Sequence, residues 1–539
     1  MAVLGSGPAI ANGIRAWFRR PAKGRPGPAA QGRNRMDTPS ADPELPPSQE
    51  AEVAFSPGAG PRDAAEQQSE TTVPLVVGLD GTLVSTDTLL ESCLVFAKAR
   101  PLQVLRLPLW LARGRAWFKR RLAMEAMPDI ATLPYNNELL AFLRTQKQAG
   151  RQLVLATSAD ERLARGVARF LGLFDNVLAS DGVVDLTGPR RCERLVAEFG
   201  EKGFDYVGQG DRDRELCQVA RKAILVAPAT ALRKISAQNG NVGRTFERPS
   251  PGLDAYLRAL RPHHWFKSAL VFLPLVVTHQ LYDASRFTHA LLAFVVVTLC
   301  ASAVYLLNDL LDLPDDRRHP HKKDRMLASG RLPVGHALAV APLLLFAAAL
   351  ASALQPPPFL TIMVVYVVLM VAYCLRLRDL GGWDVLALAV GYGLRVVAGS
   401  VAEGIETLVW LLVSSFFFFL GLALLKRYAE MVTIRSLHGL QARVRAYAVE
   451  DSGLVAVYGS LSSCLALLPV ATHLVVQHPL HSRYELAWVV LVLLLYWSIR
   501  MWLLAGRGYI RSDPVTFALT DRVSRAVGIL MAVTMLVAT

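Results

Sequence analysis

The feature that most constrains this chain is a series of apolar blocks, each about 20 residues long, that begins near residue 264. About 20 apolar residues is the length an α-helix needs to cross a hydrocarbon core of roughly 30 Å. Nine segments can be drawn, at about 264–282, 287–307, 336–354, 358–376, 383–402, 408–426, 453–476, 485–504 and 522–539. The fifth is interrupted by glycine and Arg395, and the last is short. Of 539 residues, 53% are hydrophobic and 19% charged, below the roughly 25% charged of ordinary soluble domains. A wholly soluble protein is excluded.

Charge in the connecting loops tests the count. Loops after segments two, four, six and eight, with their flanking residues, hold 18 Lys and Arg, and the other loops hold only Arg286 and Arg483. Such alternation follows the positive-inside rule. It predicts a multi-pass protein of the plasma (inner) membrane, with everything before the first segment and the four basic loops in the cytoplasm and Thr539 outside. The formal net charge of +14 is then largely topological, with attraction to anionic lipid secondary, and no nucleic-acid partner is expected. Cys93, Cys192, Cys217, Cys300, Cys374 and Cys464 form no CxxC pair, so neither a disulfide framework nor a zinc site is indicated.

Residues 1–72 are rich in Pro, Gly, Ala, Arg and Gln and are expected to be disordered, because they cannot bury enough surface to offset chain entropy. A signal peptide fits poorly there, and Met36 is an alternative start to Met1. From 73 to 230 the pattern changes to short β-branched runs, VPLVVGL, RQLVLATS, FDYVGQ and AILVAP, separated by amphipathic stretches. Strands alternating with helices predict a parallel α/β domain. A linker over 231–254 leads to the helical membrane domain, 255–539.

The first of these strands runs into Gly78-Leu79-Asp80-Gly81-Thr82-Leu83, which resembles the opening Asp-x-Asp-Gly-Thr motif of the haloacid dehalogenase superfamily. The resemblance places Thr157 at a phosphate-contacting hydroxyl, Arg190 and Arg191 near a phosphate-steadying lysine, and Gly208-Gln209-Gly210-Asp211-Arg212-Asp213 at an acidic magnesium motif. It makes 89–132 the helical cap. The departures weigh more. The family's nucleophile position is Gly78, which cannot attack phosphorus. The first acidic metal position is Gln209, a poor ligand for a hard cation. Asp80 and Asp213 remain, and the domain is expected to be an inactive relative.

At the end of segment two stands Asn308-Asp309-Leu310-Leu311-Asp312-Leu313-Pro314-Asp315-Asp316, followed by RRHPHKKDRMLASGR. Spacing of four puts Asn308, Asp312 and Asp316 on one helical face, with Asp315 as the alternative to Asp316 because Pro314 ends regular helix. Carboxylates crowded at a membrane border repel one another unless a cation neutralises them, and such groups are functional candidates. Oxygen ligands beside a basic run suggest Mg²⁺ bridging a diphosphate, with Lys322, Lys323 and Arg325 on the phosphate oxygens. The rival for any isolated charge run is a solvated loop.

The motif, with its basic loop and Leu327-Ala328-Ser329-Gly330, resembles the UbiA superfamily of membrane transferases. The resemblance spans roughly 255–539 and implies about nine helices, catalytic Asn308, Asp309, Asp312 and Asp316, and Mg²⁺ on Asp309, Asp312 and Asp316. It also implies a reaction that ionises a carbon–diphosphate bond. The loop after segment six begins Lys426-Arg427-Tyr428-Ala429-Glu430 and lacks a second Asp-x-x-x-Asp. That loop, the lead-in Leu260–Lys267 and the His319-Pro320-x-Lys322 run look like the branch containing decaprenyl-phosphate phosphoribosyltransferase. That branch implies a polyprenyl phosphate acceptor and a diphosphate-bearing donor, 5-phosphoribosyl 1-diphosphate, with Lys267, Lys426 and Arg427 as further cations. Prenyl transfer to a small or aromatic acceptor is the alternative, and a non-catalytic scaffold a weaker one. Tyr373, Arg376 and Arg378 suit either substrate binding or membrane anchoring. Asp384 and Arg395 lie inside segment five at a cost that suggests a cavity. Asp513 and Asp521 either replace the missing acidic motif or lie in a solvated loop. His263 and His264 are read as packing residues.

Overall fold

A computed structural model describes residues 72–538 except 211, 229–230, 233–240, 249, 320–321, 439–442, 445, 478–484 and 511–512. The disorder expected before residue 72, and Met36, Pro320, Arg483 and Thr539, therefore lie outside the described residues.

The soluble domain is built on six strands: β1 (Leu75–Val77), β2 (Leu153–Asp160), β3 (Asn176–Ser180), β4 (Asp205–Gly208), β5 (Ala223–Ala227) and β6 (Val242–Glu247). They pair in the order β3-β2-β1-β4-β5-β6, every pair parallel. The four apolar runs become β1, β2, β4 and β5. A central strand of a parallel sheet is buried on both faces, and Leu75, Val76 and Val77 accordingly have no exposure. Two strands lacked that signal. β3 is an edge strand whose first residue is exposed. β6 lies in the stretch expected to be linker, because Gly243, Arg244 and Thr245 are exposed and Phe246 is its one buried residue. Phe246 packs on Phe142, and the Arg244 guanidinium lies over both rings.

Between β1 and β2 the chain forms the cap, including helices Thr88–Ala99 and Arg115–Glu125. The first starts where Asp87 accepts from the backbone N–H groups of Leu89 and Leu90, which satisfies donors that have no partner inside the helix.

Seven helices among the described residues are long and apolar enough to cross a membrane: Ala284–Leu311, Val334–Ser352, Pro357–Leu375, Trp383–Glu403, and the spans beginning at Val409, Val449 and Trp488. The other two expected segments take different forms. The first is a 3₁₀ helix, Pro262–Phe272, followed by the short helix Leu273–Val277, with Pro262 and Pro274 each denying a backbone donor. The last is a helix, Arg522–Ala538, of 17 residues, about 26 Å long at 1.5 Å per residue and so shorter than the hydrocarbon core. All six cysteines are free thiols.

The cap docks on the start of the membrane domain. Leu94 of the cap shares a buried cluster with Leu306, Leu310, Leu313, Leu327 and Val334. Arg317 forms a two-pronged pair with Glu91, at 2.6 and 2.9 Å, and both side chains are almost fully buried. Gly330 has a φ of +74°, and a Cβ there would stand 3.0 Å from the Ser85 Cβ. A side chain at 330 is thus disfavoured both by the left-handed backbone and by contact with the soluble domain.

Candidate active site at the end of the second apolar segment

Helix Ala284–Leu311 ends at Leu311, Asp312 is its C-terminal cap, and a second short helix, Leu313–Arg318, begins at once with Pro314 in its first turn. This break changes the geometry that a spacing of four implies. The carboxylates fall into two groups instead of one row.

The first group is Asn308 with Asp312. Arg378, buried, reaches Asp312 through two nitrogens at 2.5 and 2.6 Å and Asn308 Oδ1 at 3.2 Å. Lys98, from the cap of the soluble domain, adds contacts at 3.3 Å to Asp312 and 2.7 Å to Asp315. The second group is Asp309 with Asp316, both buried. Their oxygens lie 3.3 and 2.5 Å from the same nitrogen of Arg325, and Arg261 holds Asp309 at 2.5 and 3.2 Å. Arg261 has a left-handed backbone, with φ of 54°, just before Pro262, and that turn aims it at the acidic helix. Burial raises the Asp316 carboxyl, and the Asp309 charge adds to this against the opposing effect of Arg325. Lys322 is near enough to lower it, and Lys323 is exposed.

Asp309 of the second group borders a cavity of about 380 Å³ lined also by Arg258, Arg261, His264, Arg325 and Asp513, among others. Asp513 is flanked by Lys267 at 3.0 Å and Lys426 at 3.6 Å. Burial would raise its pKa, but the two lysines hold it down at about 2. Asp513 lines the same cavity as Asp309, whereas Asp521 pairs with Arg500.

Other expected substrate residues lie in a different network. Arg427, with 1% exposure, donates to Asp384 at 2.7 Å, to Glu430 at 2.7 Å and to Tyr373 at 3.4 Å. The Tyr447 hydroxyl also donates to Asp384, at 2.5 Å. These contacts account for both Asp384 and Arg427 as a buried pair, since a buried charge requires a partner. Arg395 donates to the Lys267 carbonyl and the Tyr366 hydroxyl, and packs over Tyr366 and Tyr392.

No group of three His, Cys, Asp or Glu side chains among the described residues converges as a ready-made metal cage. The donor chemistry nevertheless fits a hard cation. Asp309 and Asp316 converge on one guanidinium nitrogen, and two carboxylates completed by phosphate oxygens and water form an ordinary Mg²⁺ set. Asp312, held by Arg378 on two sides, belongs to the other group. Reasoning from sequence missed Arg261 and Lys98 as site residues. An Arg-Pro step just before the first apolar segment could have pointed to the former.

The soluble domain carries a second pocket, a cavity of about 190 Å³ at the carboxyl ends of β1, β2 and β4, lined by Gly78, Asp80, Thr157, Arg191, Gln209 and Asp213, among others. The spatial expectation holds: these residues meet. Arg190 is exposed. A Cβ on Gly78 would lie 3.3 Å from the Tyr206 hydroxyl and 3.3 Å from Thr82 Oγ1. Gln209 donates its side-chain amide to the Asp80 carbonyl at 2.5 Å, and Arg191 pairs with Asp213. Burial, then the charge of Asp87, pushes the Asp80 carboxyl up to about 6. Thr82 Oγ1, Thr88 Oγ1, Arg191 Nε and Tyr206 OH are buried without hydrogen-bond partners, the mark of a polar site that water or a ligand completes.

Fold and site together define a multi-pass membrane transferase of the UbiA class joined to a haloacid dehalogenase-like domain. The comparisons agree: the UbiA prenyltransferase family matches residues 270–525, and the haloacid dehalogenase-like hydrolases match 75–201. The chain belongs to the UbiA prenyltransferase family. It is 32% identical to the uncharacterized protein y4nM of Sinorhizobium fredii, over 85% of this chain and 90% of that one. It is 37% identical to the decaprenyl-phosphate phosphoribosyltransferase of Corynebacterium glutamicum, over 33% of this chain and 55% of that one. A UbiA homologue from Archaeoglobus fulgidus, solved bound to DMAPP and Mg²⁺, superposes with a TM-score of 0.42 at 17% identity, covering 53% of this chain and 97% of that one.

Proposed function

We propose that this chain transfers a 5-phosphoribosyl group from 5-phosphoribosyl 1-diphosphate to a polyprenyl phosphate at the cytoplasmic face of the inner membrane. The observation that carries the reading is a cavity lined by both Asp309 and Asp513, each of which is paired with its own set of cations. Arg261 and Arg325 surround Asp309 and Asp316, while Lys267 and Lys426 surround Asp513. Two sets suit two anionic substrates, and a neutral aromatic acceptor would need only one.

The bond between the sugar C1 and the diphosphate oxygen breaks, with its electron pair leaving on the diphosphate. A phosphate oxygen of the acceptor then bonds to C1. Asp309 and Asp316 would hold Mg²⁺, which supplies neutralisation of the charge developing on the leaving group. Arg325, Arg261, Lys322 and Lys323 take diphosphate oxygens, where donors already aimed at developing charge are most effective. Lys267 and Lys426 hold the acceptor phosphate. That phosphate is mostly deprotonated at neutral pH, with a second pKa near 6, so the step needs no protein base. Asn308, Asp312 and Arg378 fix the helix end from which Asp309 projects.

The soluble domain, in this reading, has lost phosphatase chemistry with Gly78 and Gln209. The test is a donor screen on membranes holding the protein. Labelled 5-phosphoribosyl 1-diphosphate with polyprenyl phosphate is expected to give labelled lipid. Turnover of allylic diphosphates alone would replace this reading with prenyl transfer.

A further inference from the structure

The cap of a soluble domain without its nucleophile reaches into the membrane site, and the form of that contact calls for an explanation. Helix Thr88–Ala99 runs from the soluble pocket to the acidic loop of the membrane domain. Its first turns, through Thr88, Leu89 and Ser92, line the soluble cavity, and its last turn carries Lys98 to Asp312 and Asp315. A helix of 12 residues spans about 18 Å, so one rigid element connects the two.

The contacts along it differ in kind. Glu91 with Arg317 is buried on both sides, and Leu94 sits in the apolar cluster around Leu310 and Leu327. These fix the helix against the acidic loop. Lys98 keeps 28% of its side chain exposed and Asp315 63%, and a pair so exposed contributes little to stability. An ammonium that adds little to stability, yet stands on the central carboxylate of a diphosphate motif, acts through its charge. Asp312 and Asp315 would otherwise present negative potential to a donor bearing several negative charges, and Arg378 offsets only Asp312.

We propose that Lys98 is a positioning residue of the transferase, supplied by the soluble domain: it neutralises the Asp312/Asp315 side of the acidic motif so that a diphosphate can approach the Asp309/Asp316 side. The inference rests on the reading of this motif as a diphosphate site. It also gives the soluble domain a task that does not need Gly78 to be a nucleophile, because the cap must be folded and docked for Lys98 to arrive.

The test uses the purified full chain with Mg²⁺ and inorganic pyrophosphate, followed by titration calorimetry, and does not depend on turnover. Lys98→Met and Lys98→Gln are each expected to weaken pyrophosphate binding about tenfold, the size of one partly screened unit charge at about 10 Å. Lys98→Arg is expected to restore binding to within about twofold, and the melting temperature is expected to stay at the wild-type value throughout. Unchanged binding in both neutral variants overturns the proposal, as does a Lys98→Arg variant as weak as Lys98→Met. Variants that melt earlier but bind equally well also overturn it, since they would make Lys98 a docking contact only. Lys98-dependent pyrophosphate binding in a chain that does not use phosphoribosyl diphosphate leaves this inference standing and ends the donor assignment instead.

Discussion

The molecule holds two pockets of similar ingredients and opposite condition. In the soluble domain, Asp80, Asp213, Thr157 and Arg191 surround a cavity, but the positions that would carry the nucleophile and a metal ligand are Gly78 and Gln209. Gln209 and Arg191 instead bond within the pocket, to the Asp80 carbonyl and to Asp213. In the membrane domain, Asn308, Asp309, Asp312 and Asp316 are all present, and each is met by a basic side chain. The soluble pocket keeps its shape with Gly78 and Gln209 at two of its positions, and the difference directs attention to what that domain touches. Here it touches the acidic loop.

The largest effect is expected at the carboxylates of the acidic helix end. Asp309→Asn or Asp316→Asn is expected to lower transferase turnover by about 10³-fold or more, because each removes a carboxylate that would hold the Mg²⁺ neutralising the leaving diphosphate. Asp80→Asn, assayed on the same membranes, should leave transfer within about twofold of wild type. Equal losses in all three would mean that the two pockets work as one.

The next largest effect is expected at the docking pair. Arg317→Met leaves Glu91 buried without a partner, a change that typically costs about 3–5 kcal/mol. Thermal unfolding of the purified protein should show a clearly lower midpoint, and an unchanged midpoint would mean that the cap is not held in this way.

An aspartate at position 78 probes the soluble pocket. Gly78→Asp alone should give no phosphatase activity above background towards an aryl phosphate, because Gln209 still stands at the metal position and the Tyr206 hydroxyl crowds the new side chain. Activity is expected only when Gln209→Asp is added. Strong hydrolysis by the single variant would show that the pocket lacks only one group.

The smallest effect concerns pH. Asp80 has a folded-state pKa of about 6, above its ordinary value of 3.8, so the native state binds a proton more tightly than the unfolded chain. Its favourable contribution is therefore full below about pH 4 and is lost as pH rises through 6. Asp80→Asn removes that dependence. The variant should gain melting temperature relative to wild type at pH 8, and the gain should fade by pH 4. A gain that grew on acidification would reverse the assignment.

The architecture was largely legible because hydrophobic spacing and loop charge are properties of single segments. The four apolar runs fell on β1, β2, β4 and β5, and the acidic motif fell at the end of a membrane-length helix. What escaped depended on partners distant in the chain. Spacing of four put Asn308, Asp312 and Asp316 on one face, but the break at Asp312 paired Asn308 with Asp312 and Asp309 with Asp316. Asp384 stood out because charges in apolar segments are costly, and Arg427 because the resemblance implied further cations; that the two pair with each other was not legible from either. β6 was hidden because only Phe246 of its six residues is buried. Lys98 stands 214 residues from Asp312, and no local pattern marks it.

The central claim is that the acidic helix end is where a carbon–diphosphate bond is broken for transfer to a lipid phosphate. Its most direct measurement is simultaneous detection of pyrophosphate and labelled lipid from phosphoribosyl diphosphate and polyprenyl phosphate by the purified chain. One pyrophosphate is expected for each labelled lipid, with both products abolished by EDTA and by Asp309→Asn. Labelled lipid formed without pyrophosphate, or at the wild-type rate by Asp309→Asn, would contradict it.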